Sequence, residues 1–363
     1  NVESLTQWCK KIGKKILDQS INPDKVLEGT LVPIFIKDRP KKMPVYIDWP
    51  EIIYNEPETV YEIIMDGKHI PLYEAEIKLK NASETGALLF EITNEHISIV
   101  ISLIFSNING ADSYLFKVVG KHDVVMKQKN NQYSLENFFN ENAPKIWFYD
   151  GSVLEGNGYT ELKWKYPPYD SSKIQTWDWS GTNIQKESQT IDLKKDSIQY
   201  NVVQELKKQQ YDIIFDDDGS GEIGDVIGIN DRNSSIDLDI YHCKYSKEST
   251  PGGRIEDLYE VCGQAQKCVS WLEKPDDIFK HILRRETKRF SDTKSSRFMV
   301  GNVNQVSKLN MKLTSYPLKV RIFIVQPGLS KRNISKAQLE LLSVTENYLV
   351  ETYKLPFTVI SSK

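Results

Sequence analysis

From Asp196 to the C-terminus the hydrophobic period of the sequence changes repeatedly, and the order of those changes limits the fold more than any other feature of this 363-residue chain. The stretch "DSIQYNVVQELKKQQ" (196–210) carries Ile198, Val202 and Leu206 at helical spacing, with Asp196 or Ser197 placed to cap the first turn. Three apolar-rich runs follow, "YDIIFDD", "GEIGDVIGI" and "SIDLDIYHCK", and each alternates as a strand does. "RIEDLYEVCGQAQKCVSWLEK" returns to helical period, and "LKVRIFIVQPGL" is a fourth strand. A helix over about 335–353 and a last strand, "FTVISS", close the chain. Helices and strands in that order bury their apolar sides only as layers around a sheet, so residues 191–363 are expected to form an α/β unit with a mixed sheet.

The first half reads differently. Leu5, Trp8, Ile12 and Ile16 predict an amphipathic helix over residues 1–18, and from about 27 to 165 short β-rich runs alternate with Asn, Gly, Asp and Lys clusters. Residues 1–165 are therefore a helix followed by a mostly β domain, of unknown role. His69, His96 and His122 are scattered through it and read as surface or hydrogen-bonded side chains. Residues 166–190 form a polar, Pro- and Ser-rich junction whose Trp177 and Trp179 require burial, which predicts packing across the two units.

A net charge of −3 excludes a generally cationic nucleic-acid binder, so a polyanion partner must be held by a local patch. The best such patch is "KHILRRETKRFSDTKSSR" (280–297), with seven Lys or Arg against two acids; "GGR" (252–254) and "SKRNISK" (330–336) are lesser ones. No apolar run reaches the ~20 residues of a membrane span, and the first residues lack the charged-then-apolar layout of a signal peptide. Four cysteines without a CxxC pair or a regular disulfide spacing read as reduced thiols, which points to a cytoplasmic protein. The chain opens on Asn1, as a processed product or a piece of a longer polypeptide would.

Two motifs in one loop are read as decoys. "GSGEIG" (219–224) satisfies GxGxxG, but a dinucleotide fingerprint needs a following helix, and "EIGDVIGI" alternates as a strand. "DDDGSGEIGDVI" places Asp216, Asp218, Ser220, Gly221 and Ile223 as a calcium loop would, yet Ile227 stands where the closing Glu belongs. A polar hairpin between strands is the simpler reading.

Chemistry enters where charged side chains fall on faces that should be apolar. Asp225 shares a strand face with Ile223, Ile227 and Ile229, and a carboxylate there is costly unless paired. On the next strand the face of Ile236, Leu238 and Ile240 runs on into His242 and Lys244. In the first helix Glu205 lies on or beside the buried stripe. In the long helix Glu260, Gln264, Lys267 and Trp271 form a polar stripe beside the apolar one. Cys243 faces the other way and reads as structural.

Buried acids on helix and strand, a lysine on the next strand and a polar helix stripe resemble the PD-(D/E)xK nuclease superfamily over about residues 190–363. The resemblance implies a restriction-endonuclease-like αβββαβ core and hydrolysis of phosphodiester bonds with Mg2+ or Mn2+. It makes Asp225 the metal-binding aspartate, Glu205 the first-helix acid and Lys244 the lysine of the triplet. Gln264 and Lys267 become helix residues near the scissile phosphate. His242 departs from the pattern, standing where Glu or Asp is usual. Either His242 is itself a ligand, or Glu222, Asp217, Asp218 or Glu260 substitutes for the acid, or the site only binds.

The segments "WDWSGTNIQKESQ", "SIQYNVVQEL", "YDIIFDDDGSGEIGDVIGI" and "HCKYS" are also similar to C-terminal nuclease regions of large bacterial helicase-like or phage-defence proteins. That similarity implies an antiphage effector acting on DNA beside a helicase or sensor subunit or fused domain, with oligomers open. Other classes remain: an inactive nuclease-like clamp or assembly platform, and a hydrolase of a small phosphorylated molecule. Nothing in the sequence separates DNA from RNA.

Overall fold

The computed structural model describes residues 2–18, 33–55, 60–80, 84–94, 96–108, 111–161, 167–219, 221–273 and 275–363. In the second half, β1 (Gln175–Thr176) precedes α1 (Ile198–Lys208), then β2 (Ile213–Asp216), β3 (Val226–Asp231) and β4 (Ile236–Cys243). Next come α2 (Glu256–Lys267), α3 (Pro275–Thr293), β5 (Phe298–Val300), α4 (Val303–Lys312), β6 (Leu318–Ser330), α5 (Lys336–Glu346) and β7 (Phe357–Ser362). Their seven strands form one mixed sheet in the order β1-β7-β6-β4-β3-β2-β5.

Local chemistry accounts for the order. Ser197 Oγ accepts the Tyr200 amide and starts α1, whose Ile198, Val202, Val203 and Leu206 are buried. Short loops join β2, β3 and β4 as antiparallel neighbours, whereas β4 and β6 run parallel, which requires the intervening crossover through α2. Alternation then gives the sheet two apolar faces. Ile227, Ile229, Leu238, Ile240, Ile322 and Ile324 pack beneath α2, α3, α4 and α5; Val226, Tyr241, Cys243, Val325 and Ile360 pack beneath α1.

Among the described residues the N-terminal half forms three antiparallel sheets. Their core is aromatic, with Phe90 edge-on to Phe116 and Phe139 at 5.8 and 5.9 Å. The expected helix forms over Val2–Leu17, but Leu5 and Trp8 are each 59% exposed, so the apolar stripe is not a core face; the Ile16 side chain lies outside the described residues. No described helix is long and apolar enough to cross a membrane.

Three features depart from expectation. The junction joins the second unit rather than lying between two: β1 pairs with β7, and Trp177 and Trp179 pack on the α1 side, each donating to the Ser361 carbonyl at 3.1 Å. The open edge of β7 explains this, because its backbone groups require partners. The strand expected over "GEIGDVIGI" starts only at Val226, since residues 221–225 take turn and bend conformations. The basic stretch lies largely within α3, and α4 and β5 follow it.

The units meet where α2 crosses the strand Pro44–Asp48. A Cβ at Gly263 would fall 2.6 Å from the Tyr46 Cβ, so this contact needs glycine. Gly263→Ala is expected to cost about 1–3 kcal/mol by overpacking. Gly13→Ala, in a helix with open space around it, should be neutral or gain up to about 1 kcal/mol. Urea unfolding of both variants checks the contrast.

Candidate metal and phosphate site

At one end of the sheet the β2–β3 loop meets the last residues of β4. The loop closes through its own backbone: the Asp217 amide donates to the Asp225 carbonyl at 3.0 Å and the Glu222 amide to the Gly219 carbonyl at 3.1 Å. The Gly219 amide returns to Glu222 Oε2 at 2.8 Å, with Gly219 at φ +112°, a conformation side-chain-bearing residues rarely adopt. This fold-back brings carboxylate oxygens of Asp218, Glu222 and Asp225 within 4.8 Å of one another.

Asp225 is 1% exposed. Its Oδ1 accepts from Gln199 Nε2 and its Oδ2 from the Cys243 amide, both at 2.8 Å. Burial, then the charges of Glu187 and Asp218, push it well above the ordinary carboxylate range against those two donors. Glu222 is likewise raised by burial and by Asp225, Asp218 and Glu76. Three crowded carboxylates are an expensive arrangement that a divalent cation relieves, and an oxygen set of this kind suits a hard one.

Lys244 is buried at the same end. Its Nζ lies 2.7 Å from Glu260 Oε1 and 3.3 Å from Glu187 Oε2. Burial alone would favour the neutral amine, but Glu187 and Glu260 outweigh it and hold the ammonium charged. Glu187 also accepts the Tyr245 amide at 3.0 Å. Burial raises its carboxyl against the pull of Lys244.

His242 is 2% exposed, and neither of its ring nitrogens has a hydrogen-bond partner among the described residues. Burial pushes its pKa down to about 3, so the ring is neutral. Val226 pairs with Tyr241, and the Cys243 amide reaches Asp225 Oδ2, so His242 sits between two residues that contact the start of β3. His242, Lys244, Asp218, Glu222, Gln264 and Lys267 line one cavity of about 320 Å3, to which the N-terminal strand Glu76–Leu79 adds Glu76 and Lys78. Gln264 Nε2 reaches Glu222 Oε1 at 3.4 Å.

Glu205 is not in this group; it pairs with Lys208 at 2.5 Å. The end of α1 that meets Asp225 is its first turn, at Gln199, and six residues carry Glu205 about 9 Å along the helix. Glu187, from the aperiodic junction, supplies the acid on that side, and no pattern in the sequence marked it. Cys243 is buried beneath α1 as its facing predicts, and it contributes its amide rather than its carbonyl.

The basic stretch also needs revision. Arg285 donates to the carbonyls of Asp217 and Asp218 at 2.6 and 2.8 Å, and Arg297 to those of Asp216 and Asp218 at 2.8 and 3.1 Å. Arg289 pairs with the Asp216 carboxylate at 3.0 Å. These arginines clamp the acidic loop, because its turned-back carbonyls and buried acids require donors. They also edge a groove of about 1180 Å3 that meets the smaller cavity at Asp218 and Gly219. Across it Lys288 pairs with Glu74 at 3.0 Å. Arg254 pairs with Asp257 at 3.4 Å and Lys331 donates to the Ile174 carbonyl, so both lesser patches serve local structure.

Neither decoy forms as its motif requires. A strand rather than a helix follows the glycines, and the Asp216 carboxylate is held by Arg289; Ser220 lies outside the described residues. No family model, no curated protein and no solved structure matches this chain.

The crowded acids predict a linkage. Glu222 and Asp225 are raised in the folded state, so their penalty grows as pH climbs from the ordinary carboxylate value through the raised one and is full above it. In chelator at neutral pH, Glu222→Gln should melt about 2–4 °C above the parent, a gain of about 1 kcal/mol. Added Mg2+ or Mn2+ should raise the parent's melting temperature with concentration and the variant's much less. Calorimetric scans check both.

Proposed function

We propose that this chain is a metal-dependent nuclease of the PD-(D/E)xK kind, hydrolysing phosphodiester bonds in DNA. One observation carries the reading: the β2–β3 loop and the end of β4 bring Asp218, Glu222, Asp225 and Lys244 together at one end of a mixed sheet. The order of α1, three antiparallel strands, α2 and a parallel β6 supports a restriction-endonuclease-like core.

Asp225, Asp218 and Glu222 would hold Mg2+ or Mn2+, which when bound supplies Lewis-acid polarisation of a phosphate oxygen and acidifies a bound water. The chain's own residues do the remaining work. Lys244 is held charged by Glu187 and Glu260, so it acts as a fixed cation beside the developing negative charge rather than as a base. Gln199 and the Cys243 amide fix both oxygens of Asp225. The arginine clamp fixes the loop, and Gln264 orients Glu222. Arg284 and Lys288 lie along the larger groove, where a phosphate backbone leading to Asp218 would meet them.

The resemblance extends the proposal to an effector of bacterial antiphage defence in the cytoplasm, restrained or directed by a helicase or sensor partner. The second reading, an inactive DNA-binding platform, is favoured by His242 in the place of an acid.

Plasmid DNA incubated with the chain and Mg2+ or Mn2+ tests the proposal. Cleavage is expected, with Asp225→Ala and Lys244→Ala each slowing it by about 10²–10³-fold. Glu205→Ala should cut within about twofold of the parent, given that its partner is the surface Lys208. DNA binding without metal-dependent cleavage would establish the platform instead.

A further inference from the structure

We infer that His242 supplies a nitrogen donor to the cation held by the acid cluster, and so tunes the site towards manganese and other borderline divalent metals over magnesium. The inference rests on the proposed metal site and goes beyond it in assigning a ligand and a selectivity.

The first ground is hydrogen bonding. A buried polar group without a partner costs about 1–3 kcal/mol, and a structural histidine normally avoids that cost. The other buried histidine does: His281 sets Nε2 at 3.0 Å from both Asp217 oxygens and Nδ1 at 3.2 Å from Arg284 Nη2. His242 is as deeply buried, yet neither nitrogen is engaged.

The second ground is placement. Tyr241 pairs with Val226 and the Cys243 amide reaches Asp225 Oδ2 at 2.8 Å, so His242 lies between two residues that hold this segment, and its ring lines the same cavity as Asp218 and Glu222. A Cβ at Gly224 would stand 3.3 Å from His242 Cε1 and 2.4 Å from Ile240 Cγ2. Cε1 is the carbon between the two nitrogens, so the ring turns its polar edge towards the segment that carries Glu222 and Asp225.

The third ground is donor chemistry. An imidazole nitrogen with no hydrogen-bond partner has a lone pair to offer a cation. Three carboxylates alone suit Mg2+ or Ca2+, whereas one imidazole among them favours the later first-row metals, Mn2+ least and Co2+ more.

The test uses the full chain with metal alone. Titration calorimetry gives affinities for Mg2+, Mn2+ and Co2+, and pulsed electron paramagnetic resonance of bound Mn2+ detects a directly coordinated nitrogen-14. The parent should show the nitrogen coupling. His242→Ala should lose it and weaken Mn2+ and Co2+ by about 10-fold or more, with Mg2+ changed by no more than about threefold. His242→Asp should also lose the coupling while tightening Mg2+; as an oxygen donor at the same strand position, it serves as the second variant if the alanine change unfolds the chain. No coupling in the parent, coupling that survives both changes, or an unaltered manganese-to-magnesium ratio would overturn the inference. Failure of the underlying metal site looks different: Asp225→Asn and Glu222→Gln would then leave the binding of every cation unchanged.

Discussion

Everything at the proposed site depends on one buried carboxylate. Asp217 has no solvent exposure, and it ties the β2–β3 loop to α3 through His281 at 3.0 Å and Arg285 at 2.8 Å. It also accepts the Ile223 amide at 2.8 Å, while its own amide donates to the Asp225 carbonyl. Both ends of the turn are thereby fixed to one residue. Burial pushes this carboxyl up, but His281 and Arg285 outweigh it and hold it ionised. Burial also keeps the His281 ring below its ordinary range, so the imidazole donates as a neutral group and Arg285 supplies the compensating charge.

That anchor works against its neighbours. Asp218, Glu222 and Asp225 repel one another, and left alone the loop would open to separate them. It stays closed because donors surround it: Arg285 and Arg297 on its carbonyls, the Gly219 amide on Glu222, Gln199 and the Cys243 amide on Asp225. A chain that breaks a local rule at such cost, and surrounds the breach with compensation, is behaving as functional sites do. The same logic gives α3 its composition, since arginines reach the carbonyls of a turned-back loop with several donors at once.

Much of this was legible in strand alternation. Period two put Asp225, His242 and Lys244 on faces meant for the core, and all three are buried; it also put Cys243 on the opposite face. Alternation says which side of a sheet a residue takes, and nothing about how far along a helix an active end lies. Glu205 sits on the right helix but at the wrong turn, while Gln199, one residue past the start of α1, touches Asp225. Glu187 had no period to reveal it. Its position comes from backbone bonds made after folding, Ile198 to the Lys186 carbonyl and Gln199 to the Glu187 carbonyl. Charge counting located the basic stretch but not its internal contacts, because a tally of lysines and arginines cannot show which of them also hold a carbonyl or an acid.

The N-terminal half takes part in the site as well. Its strand Glu76–Leu79 walls the smaller cavity, and Glu76 adds to the charge that raises Glu222. Its Glu74 reaches Lys288 across the larger groove, with Asn94 and His96 on the same wall. The glycine-to-tyrosine contact of Gly263 and Tyr46 seats this half on α2, the helix that carries Glu260 and Gln264. The two halves therefore share the cleft between them, and Asp218 and Glu222 line its smaller cavity. Arg285, Arg289 and Lys288 line the larger groove and Glu222 the smaller cavity, so the cations and the raised carboxylate occupy different parts of one cleft.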